Sequence, residues 1–236
     1  MARRVKEAEV RRDELVAVAT RLFVDRGYER TSIERITTEA GVAKGTFYLY
    51  FESKQDLLAQ IVERYGDDLL QQLAVELAHE EGDAVAKLRR FFAFSAQFEA
   101  SRGEVTLEIG RALYRVENLA LRVGILDSAF THSLPILTDV IQEGMDQGAF
   151  TVSDAAATAS ILLVLRHGGA DRLARRMYEF PEPSAYFDEA SKTMLALQIA
   201  QERLLGLPVG SLRLPLDPSL ADLMEQQQRR LAEQPE

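Results

Sequence analysis

The sequence predicts an all-α fold in two parts, a small N-terminal domain of three helices and a larger C-terminal helical domain. Three features of the sequence support this prediction. No run of β-branched residues alternates with polar residues over the length of a strand. Apolar residues recur at helical spacing along most of the chain. Glycines and prolines divide these amphipathic stretches into segments of helical length.

The first helix is predicted over residues 11–26, and the second begins soon after it. One face of the first helix is apolar and comprises Leu15, Val18, Ala19, Leu22 and Phe23. Gly27 follows as the C′ residue, because glycine adopts a positive φ without a Cβ clash. The segment Thr31–Glu34 has the pattern of a capping box, in which the Thr31 hydroxyl accepts a hydrogen bond from the Glu34 amide. We therefore expect Thr31 to start the second helix.

The third helix follows a turn at Gly41, begins at Val42 and carries Lys44 to Tyr50. Ser53 is expected to cap the next helix, with Asp56 at its N3 position. Longer helices are predicted near residues 53–79, 83–100, 104–116, 118–147, 153–178 and 185–206. Pro135 should kink the segment that contains it, because proline removes an amide donor. Residues 207–218 contain three prolines and are expected to be extended. An amphipathic helix is predicted over residues 219–233.

Composition restricts the class of protein. The chain has 236 residues, of which 47% are hydrophobic, and it contains no cysteine. Disulfides and thiolate chemistry are therefore excluded. The N-terminus lacks the apolar stretch of a signal peptide, and the longest uncharged runs have 11 residues, whereas about 20 are needed to cross a bilayer. We expect a cytoplasmic protein that does not enter a membrane.

Residues 31–51 contain two short helices joined by a glycine turn, which is the form of a helix-turn-helix. In this motif the first helix braces the second, and the second enters the major groove of DNA and contacts base edges. The net charge of −9 does not exclude a nucleic-acid partner, because residues 1–60 carry +1 and residues 61–236 carry −10. The segment therefore predicts DNA binding.

Residues 15–58 resemble the N-terminal domain of the tetracycline-repressor (TetR) family. The resemblance rests on short motifs, namely Leu22-Phe23, Gly27-Tyr28, Thr31, Ala40-Gly41-Val42, Lys44-Gly45-Thr46-Phe47-Tyr48, Tyr50-Phe51 and Ser53-Lys54. It implies a transcriptional regulator, by family default a repressor, with a helix-turn-helix DNA-binding domain over residues 1–54. A helical ligand-sensing and dimerisation domain would occupy residues 55–206. Residues 207–236 would hold the extended segment and the short C-terminal amphipathic helix.

The resemblance implies a set of DNA contacts that the residue chemistry also supports. The predicted contacts are Thr31, Ser32, Lys44, Gly45, Thr46, Tyr48, Tyr50 and Lys54. Lys44 is the candidate for a guanine contact, and Gly45 would let the backbone approach DNA closely. The hydroxyl groups would bind phosphates, and Lys54 would place its charge beside a flanking phosphate. Taken alone, the tyrosines could equally be packing residues and the lysines ordinary surface residues.

For the C-terminal domain the resemblance implies a homodimer, whose interface forms from the helices near 153–178 and 185–206. A symmetric dimer binds a palindromic operator. Small and apolar residues in both helices suit close packing, although an ordinary intrachain core is the alternative. An apolar or aromatic small-molecule effector would bind among aromatic and histidine side chains, with core packing as the alternative for each. The candidates are Phe91, Phe94, Phe98, Tyr114, Phe130, His132 and His167.

An enzyme and a helical protein–protein adaptor are the alternative functions. The three histidines lie far apart in the sequence and lack metal-ligand spacing. Residues 41–46 are not a phosphate-binding loop, because their lysine and glycine are in the wrong order and no strand precedes them. An adaptor would leave the hydroxyl and lysine groups of the third helix without a role. We expect no catalytic residue, no metal site and no cofactor.

Overall fold

The computed structural model describes residues 2–101, 103–179 and 183–213, and the side chains of residues 8–94, 105–178 and 189–213. Every regular element in these ranges is helical, which confirms the predicted all-α class. The elements are α1 (Ala2–Arg26), α2 (Ile33–Glu39), α3 (Lys44–Phe47), α4 (Lys54–His79), α5 (Ala84–Ser101), α6 (Gly103–Leu113), a 3-10 turn (Val116–Asn118), α7 (Leu119–Asp146), α8 (Ala155–Glu179) and α9 (Pro183–Leu205). None of the described helices combines the length and apolar character of a bilayer-crossing segment.

The helices form two compact units. The first comprises Met1–Asp67 and Arg102–Ile125, and the second comprises Asp68–Ser101 and Leu126–Glu236. Helix α6 therefore packs with the helix-turn-helix although it follows α5 in the sequence. Helices α4 and α7 each contribute residues to both units. The predicted boundaries at residues 54 and 206 divide the chain by function, between DNA binding, effector sensing and the C-terminal segment. This division stays a prediction.

The core of the first unit forms where α1, α2, α3 and the start of α4 meet. Most of the predicted apolar face of α1 is buried, and its neighbours include Ile36 of α2 and Phe47 of α3, both 0% exposed. Helix α6 adds Ile109 and Ala112 to the same cluster. Each fully buried apolar side chain of this size contributes about 1.5–3 kcal/mol. Short helices α2 and α3 therefore depend on tertiary packing for their stability.

The turn between α2 and α3 closes in a Schellman motif. Gly41 has φ +67°, which is a conformation that glycine adopts without strain. The Val42 amide donates to the Thr37 carbonyl at 2.9 Å, and the Gly41 amide donates to the Thr38 carbonyl at 3.1 Å. The predicted stop at Gly41 is confirmed. Helix α3 begins two residues later than predicted, after the N-cap residue Ala43.

The second unit has its own apolar core. Its fully buried members include Leu88 and Phe92 of α5, Leu137 and Ile141 of α7, and Leu162 and Leu163 of α8. Lys87 of α5 forms an ion pair with Glu143 of α7 at 2.7 Å. The ring of Phe150 covers Gly144, where an added Cβ would lie 2.1 Å from it. Helix α7 continues through Pro135, and the kink at this residue stays a prediction.

Residues 209–212 form turns, whereas an extended segment was predicted over residues 207–218, of which 214–218 lie outside the described residues. Glu202 of α9 is 0% exposed, and its carboxylate accepts hydrogen bonds from the amides of Gly210 at 2.9 Å and Leu212 at 2.8 Å. This side chain folds the segment back against the end of α9. The predicted amphipathic helix at 219–233 lies outside the described residues.

Candidate nucleic-acid interface

The third helix has one side fixed in the core. Phe47 and Phe51 are 0% and 1% exposed, and their ring centroids lie 5.2 Å apart. The Tyr48 ring packs edge-on against Phe47 at 5.5 Å. Because these aromatic contacts hold the helix by one side, its other side faces solvent. The sequence placed Phe47 and Phe51 in the core correctly.

The exposed side of α3 carries most of the predicted DNA contacts. Lys44 and Gly45 are exposed, Tyr48 is 51% exposed, and Thr46 and Tyr50 are half-buried. We call the surface of Ser32, Lys44, Gly45, Thr46, Tyr48, Leu49 and Tyr50 the α3 face. It combines one ammonium group, several hydroxyl groups and a stretch of uncovered backbone, which are the groups that bind phosphates and base edges.

Helix α3 is shorter than predicted. Its α-helical residues end at Phe47, and residues 48–50 form a tighter turn. The Leu49 amide donates to the Thr46 carbonyl at 3.3 Å, and the Tyr50 amide donates to the Phe47 carbonyl at 3.0 Å. These bonds span three residues, as in a 3-10 helix. The turn keeps Tyr48, Leu49 and Tyr50 on the continuation of the helix.

Leu49 was missed by the sequence analysis. Its side chain is 77% exposed, although leucine is among the residue types most often buried. It lies on the α3 face between two tyrosines. A signal was present in the sequence, because Leu49 lies two residues from both Phe47 and Phe51, and helical periodicity places it on the opposite side from them.

Thr31 does not cap α2 and does not face solvent. Its side chain is 0% exposed, and its hydroxyl donates to the Gly27 carbonyl at 2.9 Å, with the Leu22 carbonyl at 3.3 Å. The hydroxyl is therefore used to hold the end of α1. The predicted phosphate contact of Thr31 is wrong, because no atom of a buried side chain reaches DNA.

Ser32 is the N-cap residue of α2. Its hydroxyl oxygen accepts a hydrogen bond from the Arg35 amide at 3.1 Å, and its own φ and ψ are −89° and 156°. The cap is therefore at Ser32, one residue after the predicted Thr31, and the predicted capping box does not form. Ser32 is exposed, so its O–H group remains able to donate to a phosphate. The cap at Ser53 is confirmed, because its hydroxyl accepts from the Asp56 amide at 3.0 Å.

The Lys54 ammonium group bonds within the first unit, and its predicted contact with a flanking phosphate stays a prediction. Its ammonium group donates to the Tyr28 carbonyl at 2.9 Å and the Thr31 carbonyl at 3.1 Å. It also lies 4.2 Å from the centre of the Tyr28 ring. Burial lowers the pKa of Lys54 below its ordinary value and raises the pKa of Tyr28 to about 12. Lys54 joins the start of α4 to the loop before α2.

Helix α6 and the 3-10 turn brace the same region of the first unit. Gln55 of α4 donates to the side-chain oxygen of Asn118 at 3.0 Å. Asn118 is 2% exposed, and its amide group donates to the Ala112 carbonyl at 2.8 Å. Arg115 forms an ion pair with Glu29 at 3.0 Å. These contacts hold the start of α4, and with it the position of the α3 face.

The residues predicted to bind an effector do not all come together. Phe91 and Phe94 are buried, at 6% and 7% exposed, and Tyr114 lies in the first unit, where the Arg122 guanidinium stacks on its ring at 4.6 Å. His132 is exposed, with Nδ1 2.8 Å from the Ser128 carbonyl, so its predicted place in a cavity is wrong. The side chain of Phe98 lies outside the described residues.

Two of the predicted effector contacts do meet in the second unit. Phe130 of α7 and His167 of α8 pack edge to face, with ring centroids 6.3 Å apart. The Nδ1 atom of His167 is buried and has no hydrogen-bond partner among the described residues. Burial, with the nearby Arg166 charge, lowers the pKa of His167 below its ordinary value and so favours the neutral ring.

Comparison with known proteins gives a consistent result. A family model described as bacterial regulatory proteins of the tetR family matches residues 15–61, which contain the α3 face. The fatty acid metabolism regulator protein of Bacillus subtilis is 28% identical over 136 residues, covering 57% of this chain and 68% of that protein. Residues 15–61 of the chain are thus similar to regulatory proteins of the tetR family. Its relatives are transcriptional regulators that bind DNA and respond to small molecules.

Solved structures of TetR-family regulators share the fold of the chain. A regulator from Pectobacterium atrosepticum has a TM-score of 0.64 at 24% identity, covering 86% of this chain and 98% of the other. FadR from Bacillus subtilis, solved in complex with stearoyl-CoA, has a TM-score of 0.57 at 20% identity, covering 78% of this chain and 96% of that one. At this identity the agreement concerns the fold alone.

Proposed function

We propose that the chain is a repressor that binds a palindromic operator as a homodimer and releases it when an apolar or aromatic small molecule binds. The observation that supports this most strongly is the α3 face. Its polar groups are exposed beside an aromatic anchor of two buried phenylalanines, so the helix can enter a groove without losing its core contacts. Residues 1–54 would bind DNA and residues 55–206 would sense the effector and dimerise.

Fluorescence anisotropy with labelled DNA tests DNA binding by this face. The full chain should bind a duplex more tightly as salt falls, because phosphate contacts release counterions. Tyr48→Phe keeps the ring on Phe47 and removes one hydroxyl, so affinity for every duplex should fall about tenfold, the worth of one hydrogen bond to a charged group. The salt dependence should not change, since a hydroxyl carries no charge.

The matched control is Tyr65→Phe. Tyr65 lies on α4, and its hydroxyl is 3.3 Å from the Thr106 hydroxyl inside the first unit, so this variant should bind DNA as the parent does. An affinity that is insensitive to salt would favour a protein–protein adaptor and contradict the proposal. If Tyr48→Phe and Tyr65→Phe changed DNA affinity equally, the α3 face would not be the binding surface.

Dimerisation is proposed through α8 and α9. The exposed side of α8 carries small and apolar residues at helical spacing, namely Ala157, Ile161, Val164 and Gly168, with Ile161 49% and Val164 60% exposed. Leu195 of α9 is 56% exposed. Apolar stripes of this kind mark association surfaces when they are contiguous. Two copies would place their recognition elements about 34–36 Å apart, one turn of DNA.

The effector is proposed to bind in the second unit, beside Phe130 and His167. The relative named for fatty acid metabolism and the FadR complex with stearoyl-CoA suggest a long-chain acyl compound as the first probe. Binding would favour a dimer with altered spacing between its recognition elements, and α4 would transmit the change. The coupling free energy between two such sites is typically about 1–3 kcal/mol. Saturating stearoyl-CoA should then weaken operator binding. Unchanged operator affinity would exclude this compound as the effector.

A further inference from the structure

Leu49 is a large apolar side chain that the protein leaves in solvent. It is 77% exposed, whereas Phe47 and Phe51 are 0% and 1% exposed. Leu49 lies two residues from each phenylalanine, in the tight turn that continues α3, and its side chain faces solvent while both phenylalanine rings face the core. The contacts that hold α3 in place therefore do not depend on Leu49.

The surroundings of Leu49 are open. Gly45 lies one helical turn earlier, and a methyl group added at Gly45 would have no heavy atom within 4 Å outside its own helix backbone and chain neighbours. Tyr48 stands on the flank, with its ring fixed against Phe47. Lys44 is exposed at the start of α3. Leu49 is thus the apolar member of a face that otherwise offers hydroxyl groups, an ammonium group and uncovered backbone.

The major groove offers one apolar group on its base edges, the 5-methyl group of thymine. A leucine forms no hydrogen bond with the polar groups of the base edges. Packing it against them would leave their donors and acceptors buried and unpaired. We propose that Leu49 contacts the 5-methyl group of a thymine in the operator and so selects a T·A base pair at that position. This inference rests on the proposed DNA binding of the α3 face and adds the base that one residue selects.

Deoxyuridine substitution tests the contact, because deoxyuridine pairs as thymidine does but lacks the 5-methyl group. The full chain first selects an operator from random DNA, and each thymine is then replaced singly. At one thymine in each half-site, the replacement should lower the affinity of the parent about fourfold, the effect of one buried methyl-sized group. The same replacement should leave the affinity of Leu49→Ala unchanged.

Two controls separate the contact from a change in folding. Leu49→Ala should keep the urea midpoint of the parent, because the side chain is outside the core. Val116→Ala removes another exposed apolar side chain of the first unit, 88% exposed and outside the helix-turn-helix, and should keep the fourfold sensitivity. If no thymine shows sensitivity, or Leu49→Ala is equally sensitive, the inference is overturned while DNA binding stands. If no DNA is selected, the proposed function itself fails.

Discussion

The ammonium group of Lys54 joins two parts of the first unit through backbone carbonyls. It bonds to the carbonyls of Tyr28 and Thr31 and lies over the Tyr28 ring. These partners come from the loop after α1, so nothing in the sequence near Lys54 indicates them. For Thr31 the partner is local, because its hydroxyl donates to the Gly27 carbonyl four residues earlier, at the end of α1. Motif position predicted phosphate contacts for both residues, whereas in the structure the Thr31 hydroxyl and the Lys54 ammonium group bond to backbone carbonyls of the first unit.

Lys54→Ala should lower the free energy of unfolding by about 1–3 kcal/mol, because two hydrogen bonds to a charged donor are lost. Lys44→Ala should change it by less than about 0.5 kcal/mol, since Lys44 is exposed. Urea denaturation measures both. The salt dependence of DNA binding gives a second readout: a lost phosphate contact would reduce the log–log slope by about 0.9. Such a reduction in Lys54→Ala would support the predicted phosphate contact of Lys54, whereas an unchanged slope would argue against it.

At the scale of elements, most helix bounds could be predicted because their signals are local. The glycines at 27 and 41 have positive φ and end helices as expected, and Ser53 caps α4. The association of α6 with the first unit could not be predicted, because it depends on contacts between Ile109 and α1 that are remote in sequence. The exposure of Leu49 could have been predicted from its two-residue spacing from Phe47 and Phe51, although a leucine within an aromatic segment suggests core.

Substitutions at two glycines of the helix-turn-helix should separate an effect on folding from an effect on DNA binding. Gly41→Ala should lower the free energy of unfolding by about 1 kcal/mol, because alanine is strained at φ +67°. Gly45 lies in α3 with open space around it, so Gly45→Ala should leave stability unchanged or raise it by up to about 1 kcal/mol. Its methyl group would nevertheless keep DNA away and lower affinity about tenfold or more. Denaturation and anisotropy together check this pair, and full DNA affinity in Gly45→Ala would argue against close backbone approach.

Glu202 makes the turn after α9 sensitive to pH. Burial alone would raise its pKa, but hydrogen bonds from Gly210, Leu212 and Gln198 outweigh burial and lower it. A lowered pKa in the folded state contributes stability that is complete above the unfolded value of about 4.3 and is lost as the pH falls through the folded pKa. Glu202→Gln should therefore cost about 1.5–3 kcal/mol at pH 7, with the cost shrinking below about pH 4.

Urea denaturation across this pH range tests the role of Glu202. The matched control is Glu81→Gln, at an exposed position between α4 and α5, which should change stability by less than about 0.5 kcal/mol. A cost for Glu202→Gln that stays constant down to pH 3 would show that its carboxylate charge does not hold the turn.

At the scale of the whole molecule, the proposed binding of a palindromic operator depends on the assembly of two copies. Val164→Arg places a charge in the exposed stripe of α8 and should convert the dimer to a monomer, because a buried unpaired charge is costly. Val75→Arg is the control, since Val75 is 54% exposed on α4 and Val164 60% exposed on α8. Light scattering after size exclusion measures both masses. A monomeric parent, or a dimer that survives Val164→Arg, would place the interface elsewhere or remove it.

Selection of bound sequences from a random DNA pool by the full chain tests the central claim most directly. We predict a palindromic consensus, with half-sites whose centres lie one helical turn, about 10 base pairs, or a multiple of it apart. We further predict that Lys44→Ala selects a more relaxed consensus at one position of each half-site. A pool that stays random after selection, or a consensus without two-fold symmetry, would contradict the account of a dimer that reads DNA through the α3 face.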